Sequence, residues 1–179
     1  AQQPGRTLER ALLERGIDPN SRDPKGQIGL ILALRDDSLR VAEALWKSPQ
    51  LDVNAENASG ENALMMAALR GQVAWMERLL GRGAQAHKEG WSPIHYAATG
   101  PEAKAVALLI ERGAPIEALS PGKDTPLMMA ARYGSEDAVV ALLALNALTP
   151  QGLWENGDLV PVLPRAAIVV FLVALVCEY

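Results

Sequence analysis

Two histidines and a single cysteine are the residues of this chain with the clearest capacity for metal or nucleophilic chemistry. His87, His95 and Cys177 do not have the spacing of a recognised zinc or other metal site. The chain also lacks the G-x-S-x-G nucleophile turn, the G-x-x-x-x-G-K-[ST] phosphate loop and the H-E-x-x-H metal motif. We therefore predict a protein that is not an enzyme and that has no metal site and no cofactor.

Two methionine pairs, Met65-Met66 and Met128-Met129, recur at equivalent places in the chain. Methionine is flexible and polarisable, so it suits both adaptable binding surfaces and irregular gaps in a core. Of these two interpretations, we favour gap filling between packed helices.

The elements that must position these side chains are clearest between residues 62 and 84. Asn62 predicts a helix N-cap, since its side-chain oxygen can accept from an unpaired N–H of the first turn. Gly71 separates two apolar stripes at helical spacing, and Gly83 suits the left-handed residue that ends the second helix. The residues of the two stripes are Leu64, Ala67, Ala68, Val73, Met76, Leu79 and Leu80.

This antiparallel helix pair is repeated along the chain. The equivalent apolar positions Leu30, Leu64, Ile94 and Leu127 follow one another at intervals of 34, 30 and 33 residues. A single pair cannot bury its apolar surface alone, so the repetition predicts that neighbouring units stack.

The segments Ser92-Pro93-Ile94-His95-Tyr96-Ala97 and Thr125-Pro126-Leu127 resemble the T-P-L-H-x-A signature of ankyrin repeats, whose period is about 33 residues. The chain looks like a small, single-domain, bacterial-like member of that family. The resemblance implies an all-α solenoid of antiparallel helix pairs with hairpin-like fingers between them. It also implies that His95 forms hydrogen bonds that tie adjacent fingers.

This resemblance divides the chain at residue 147. Residues 1–147 are predicted to form about four repeats, preceded by a partial unit with one helix at residues 7–15. The first complete unit departs most from the pattern, because Asp37 replaces the glycine between the helices and Trp46 replaces a leucine. We interpret both as tolerated variations of the core.

The family resemblance implies that the protein is a non-enzymatic interaction module, which binds another protein through a concave face of fingers and first-helix ends. Tryptophan, tyrosine and arginine are enriched among the residues that dominate binding energy. The alternative for an exposed tryptophan is simple packing on its neighbour, and exposed charges often only contact solvent. The predicted partner-binding residues are Arg35, Arg70, Lys88, Glu89, Trp91, Lys123, Arg132 and Tyr133.

Composition argues against several other classes of partner. The formal net charge is −4, the isoelectric point is about 5.2, and no run of lysine or arginine occurs, so we predict no nucleic-acid partner. One cysteine excludes an intramolecular disulfide framework. The start Ala1-Gln2-Gln3 resembles the product of signal-peptide removal, which predicts a periplasmic or exported protein, although a cytoplasmic protein with a trimmed start remains the alternative.

The last 32 residues, 148–179, depart from the repeat. A turn-rich linker leads to residues 166–177, AAIVVFLVALVC, which are apolar throughout. Twelve residues are fewer than the roughly 20 that a helix needs to span a bilayer, so a membrane-associated accessory protein is the secondary hypothesis. We predict that this segment caps the last repeat in a monomer; exchange between two chains, giving a homodimer, is the alternative.

Overall fold

The computed structural model describes residues 18–133 and 136–147. Within these ranges the chain forms four successive helix pairs and no β-strand, which confirms the predicted all-α repeat fold. The pairs are α1 Gly29–Arg35 with α2 Leu39–Trp46, α3 Ala63–Leu69 with α4 Val73–Gly81, α5 Pro93–Thr99 with α6 Ala103–Glu111, and α7 Pro126–Tyr133 with α8 Glu136–Ala147.

Three predictions fall on residues that the structure does not describe. The helix at residues 7–15, the processed N-terminus that suggested export, and the segment at residues 148–179 all lie outside the described ranges. They therefore stay predictions.

The local signals that defined the helices act as expected. The Asn62 side chain accepts a hydrogen bond from the Met65 N–H at 3.0 Å, so it is the N-cap of α3. Gly71 and Gly83 have φ values of +67° and +96°, which places both in the left-handed region that glycine adopts without Cβ strain. The predicted ends of α3 and α4 are thus confirmed.

The first helices of successive units pack on one another, so α1, α3, α5 and α7 form one row along the stack. Their equivalent residues Leu30, Leu64 and Ile94 are buried at the centre of the core. The row is closely packed where α5 ends, because a Cβ on Gly100 would lie 2.7 Å from the Ala68 carbonyl oxygen. Small residues at this interface therefore let neighbouring backbones approach.

Side chains from one unit satisfy the backbone of the next unit's loop. The Asn20 amide donates to the Gln50 carbonyl oxygen and accepts from the Asp52 N–H, both at 2.8 Å. Asn54 repeats this arrangement one unit later, with the Gly83 carbonyl oxygen and the Gln85 N–H, both at 2.9 Å. These two asparagines, which the sequence analysis did not single out, are therefore inter-unit ties.

The third unit has a different tie. Its finger is three residues shorter, as the 30-residue interval indicated, and the asparagine position is lost. Here His95 is fully buried, and its Nε2 lies 3.0 Å from the Ala118 carbonyl oxygen in the following finger. Its Nδ1 accepts from the Ser92 N–H at 3.2 Å, which requires Nε2 to be the protonated donor to Ala118. The predicted role of His95 in joining fingers is thus supported by geometry.

An aromatic and ionic cluster joins α2 to α4, whose backbones approach less closely than those of the later second helices. Trp46 and Trp75 meet edge to face with ring centroids 5.5 Å apart. The Arg78 guanidinium lies 4.0 Å from the Trp75 centroid and 4.9 Å from that of Trp46, and it forms a bidentate ion pair with Glu43. Trp46 is therefore more than a tolerated leucine replacement, because it widens and fills this junction.

The left-handed residue after α4 generates a stability prediction. A Cβ on Gly83 would meet no atom within 4 Å, so Gly83→Ala should act through backbone strain alone and lower the unfolding free energy by about 1–2 kcal/mol. Chemical denaturation followed by circular dichroism measures this change.

Gly81→Ala is the matched control, since Gly81 lies two residues earlier, inside α4, and is equally free of close neighbours. Alanine is the better helix former, so this substitution should raise the unfolding free energy by about 0.5–1 kcal/mol. Equal effects of the two substitutions would contradict the left-handed assignment.

Candidate functional site

The eight predicted partner-binding residues lie on two kinds of element. Arg35 and Arg132 belong to the last turns of α1 and α7, Tyr133 is the last residue of α7, and Arg70 is the C-cap of α3. Lys88, Glu89, Trp91 and Lys123 lie in the third and fourth fingers, residues 85–92 and 115–125. We call these eight residues the finger face.

A network of side chains crosses three units at the base of this face. The Asn57 amide donates to Glu61 Oε2 at 2.8 Å and to Gln27 Oε1 at 3.2 Å. The Tyr96 hydroxyl donates to Glu61 Oε1 at 3.1 Å, across a sequence separation of 35 residues. Burial, together with the Glu61 carboxylate, raises the pKa of Tyr96 above its ordinary value, so the phenol stays neutral and remains a donor. Glu61 is thus held from both sides.

Trp91 is the large aromatic side chain that this network supports. Its ring meets His95 and Tyr96 edge to face, with centroid separations of 5.6 and 6.2 Å. It nevertheless keeps 37% of its surface exposed. Packing on a neighbour and exposure to solvent therefore occur together at Trp91, where the sequence had offered them as alternatives.

Two of the predicted arginines are already paired with carboxylates on the same face. Arg35 Nε lies 2.9 Å from Asp36 Oδ1, and the hydrogen bond from Arg35 holds the pKa of the Asp36 carboxyl below its ordinary value. Arg132 Nη2 lies 2.9 Å from Asp124 Oδ1, which connects α7 to the fourth finger. Because these are exposed pairs in water, each contributes little to folding and keeps its charges accessible to a partner.

Lys88 is less available than the sequence suggested. Its ammonium forms an ion pair with Glu56 and donates to the Gly60 carbonyl oxygen at 2.9 Å. It therefore joins the third finger to the second finger. The partner-binding role predicted for Lys88 has to compete with these contacts.

The remaining predicted residues are more accessible. Arg70, Glu89, Lys123 and Tyr133 are exposed and have no side-chain hydrogen bond or ion pair with other described residues. Lys123 also has a φ of +62° at the finger position where Gly26, Gly60 and Gly90 adopt the same conformation. A side chain held in this strained backbone projects from a fixed turn.

The chemistry of the face is that of recognition. Across residues 18–133 and 136–147, no cluster of histidine, cysteine, aspartate and glutamate side chains is arranged to hold a metal ion. Among the same residues, no helix has both the length and the apolar character needed to cross a membrane. What the face offers is an oriented indole beside accessible charges, which suits contact with another polar surface.

Comparison with known proteins agrees with the repeat architecture. A family model described as ankyrin repeats in three copies matches residues 1–89 and 64–150. Transient receptor potential cation channel subfamily A member 1 of Homo sapiens is 27% identical over 139 residues, which cover 72% of this chain and 12% of the channel. Inversin of Canis lupus familiaris is 30% identical over 141 residues, covering 76% of this chain and 13% of inversin.

The tyrosine-protein kinase Shark of Drosophila melanogaster is 29% identical over 140 residues, covering 75% of this chain and 15% of the kinase. The chain therefore spans 15% or less of the length of each of these three relatives. The similarity concerns their repeat regions.

The network below Trp91 generates a second prediction. Tyr96→Phe keeps the ring against Trp91 but removes the hydroxyl that donates to Glu61, so it should lower the unfolding free energy by about 1 kcal/mol. Equilibrium denaturation by urea measures the loss.

Tyr133→Phe is the control, because the Tyr133 side chain is exposed and has no described hydrogen-bond partner. Its effect should stay within about 0.5 kcal/mol. Equal losses from the two substitutions would show that the Tyr96–Glu61 hydrogen bond contributes nothing specific.

Proposed function

Because the chain belongs to the ankyrin repeat family, we propose that this part of the protein is a non-enzymatic module that binds another protein through its finger face. Stacked repeats of this kind present extended surfaces along one side of the solenoid, and repeat proteins use these surfaces to bind partners. The identity of the partner depends on the side chains exposed there, since the scaffold itself is common to many functions.

The observation that carries the proposal is the state of Trp91. A surface indole with no neighbours loses side-chain entropy when a partner immobilises it. Trp91 is already oriented by edge contacts with buried His95 and with Tyr96, while 37% of its surface stays exposed. Binding therefore costs less ordering at this residue, and a preorganised tryptophan is the typical centre of a binding hot spot.

The other residues of the face extend this anchor along the stack. Tyr133 supplies a second exposed aromatic ring at the end of α7, and Arg70 supplies a guanidinium at the end of α3. The pairs Arg35–Asp36 and Arg132–Asp124 place both signs of charge near the first and last described units. Charges of this kind orient an approaching partner more than they hold it.

A crosslinking experiment identifies the partner and locates the face at the same time. A photo-reactive amino acid replaces Trp91 in one variant and Glu77, an exposed residue of α4, in the control. After irradiation in extracts of the source cells, a protein captured at position 91 and absent at position 77 supports the proposal. Capture that is equal at both positions contradicts it.

The third prediction tests the energy of the face with the captured protein. Arg70→Ala, Trp91→Ala and Tyr133→Ala together should weaken binding at least about 30-fold, because hot-spot truncations typically cost more than 1 kcal/mol each. Titration calorimetry measures the affinity, and circular dichroism checks that the helices are intact.

The matched control combines Glu77→Ala, Lys104→Ala and Arg112→Ala, three exposed positions on or beside the second helices. Its affinity should stay within about threefold of the parent, as expected for substitutions outside the contact. If the first triple variant binds as tightly as the parent, the contact surface lies elsewhere on the chain.

A further inference from the structure

The last helix pair exposes positions that the preceding pair buries. Met128 occupies the place of His95 one repeat earlier, and Val140 that of Ala107. His95 and Ala107 are 0% and 3% exposed, whereas Met128 and Val140 are 54% and 47% exposed. The same change from covered to exposed occurs at Ala131 and at Leu143, of which the latter is 52% exposed. We call Met128, Ala131, Val140 and Leu143 the open end face.

Helix α8 differs in composition from the other second helices. Its residues 138–145 include no polar or charged side chain, whereas α4 and α6 have charged residues such as Glu77 and Lys104 on their outer sides. A helix that is apolar all round is expected to be buried all round. The fourth unit is therefore built to be covered by a further apolar element.

The chain itself contains one segment of matching character. From these observations we propose that residues 166–177, AAIVVFLVALVC, cover the open end face of the same molecule. Residues 148–165 form a connection of 18 residues, which reaches up to about 60 Å when extended. The 12-residue helix α8 is only about 18 Å long, so the connection does not limit where the segment can lie on the face.

The tether also decides between the chain's own segment and that of a second copy. A short flexible connection gives the segment an effective concentration in the millimolar range at its own face. At micromolar protein concentration, the same segment on another molecule is about a thousandfold more dilute. Self-coverage therefore prevails over exchange, and the protein is a monomer.

The test uses thiol reactivity in the full chain, with Cys177→Ser as the background so that one thiol is present. The Leu143→Cys thiol should react with a maleimide about tenfold more slowly than the Glu77→Cys control, because it reacts only after the segment opens. Val140→Cys serves as a second position on the same face. Adding Val170→Asp and Val173→Asp should restore the fast reaction at positions 140 and 143 and leave position 77 unchanged.

Each other result overturns the proposal. Fast labelling of both face positions in the intact chain would show that nothing covers them. Slow labelling that persists after the two aspartate substitutions would assign the cover to another part of the chain. Slow labelling in a protein that light scattering finds to be a dimer would assign it to a second copy.

Discussion

The structure depends on one constraint, which is that the loop of each repeat cannot satisfy its own backbone. The carbonyl and amide groups at the base of each finger bond to a side chain from the preceding unit: Asn20, Asn54 and then His95. Because an unpaired buried backbone group is costly, each unit needs its predecessor in place. The stack is therefore held by directional bonds as well as by apolar burial.

The repeat architecture was predictable because it rests on local residue types that recur. Proline at the first helical position, alanine pairs and glycine after the second helix each act within a few residues of themselves. The ties by Asn20 and Asn54 could also have been found, since asparagine recurs 34 residues apart at equivalent places. Nothing local distinguished these two asparagines from ordinary turn residues.

The parts of the candidate site that the sequence missed are those in which distant residues converge. Glu61 and Tyr96 are 35 residues apart, and their hydrogen bond follows from the stacking of two units. The stacking of Arg78 between Trp46 and Trp75 has the same origin, as does the engagement of Lys88 by Glu56. Sequence spacing identified which residues are exposed on the fingers, but it could not show which of them already have partners.

The side-chain bonds between units span only 23 to 38 residues, because each unit contacts mainly its neighbours. Chains dominated by such local contacts fold quickly, since little loop-closure entropy is lost before a contact forms. During synthesis at about 5–20 residues per second, a new 30-residue unit emerges every few seconds. Each unit can thus dock on the one already folded as it leaves the ribosome, and assembly proceeds from the N-terminal end.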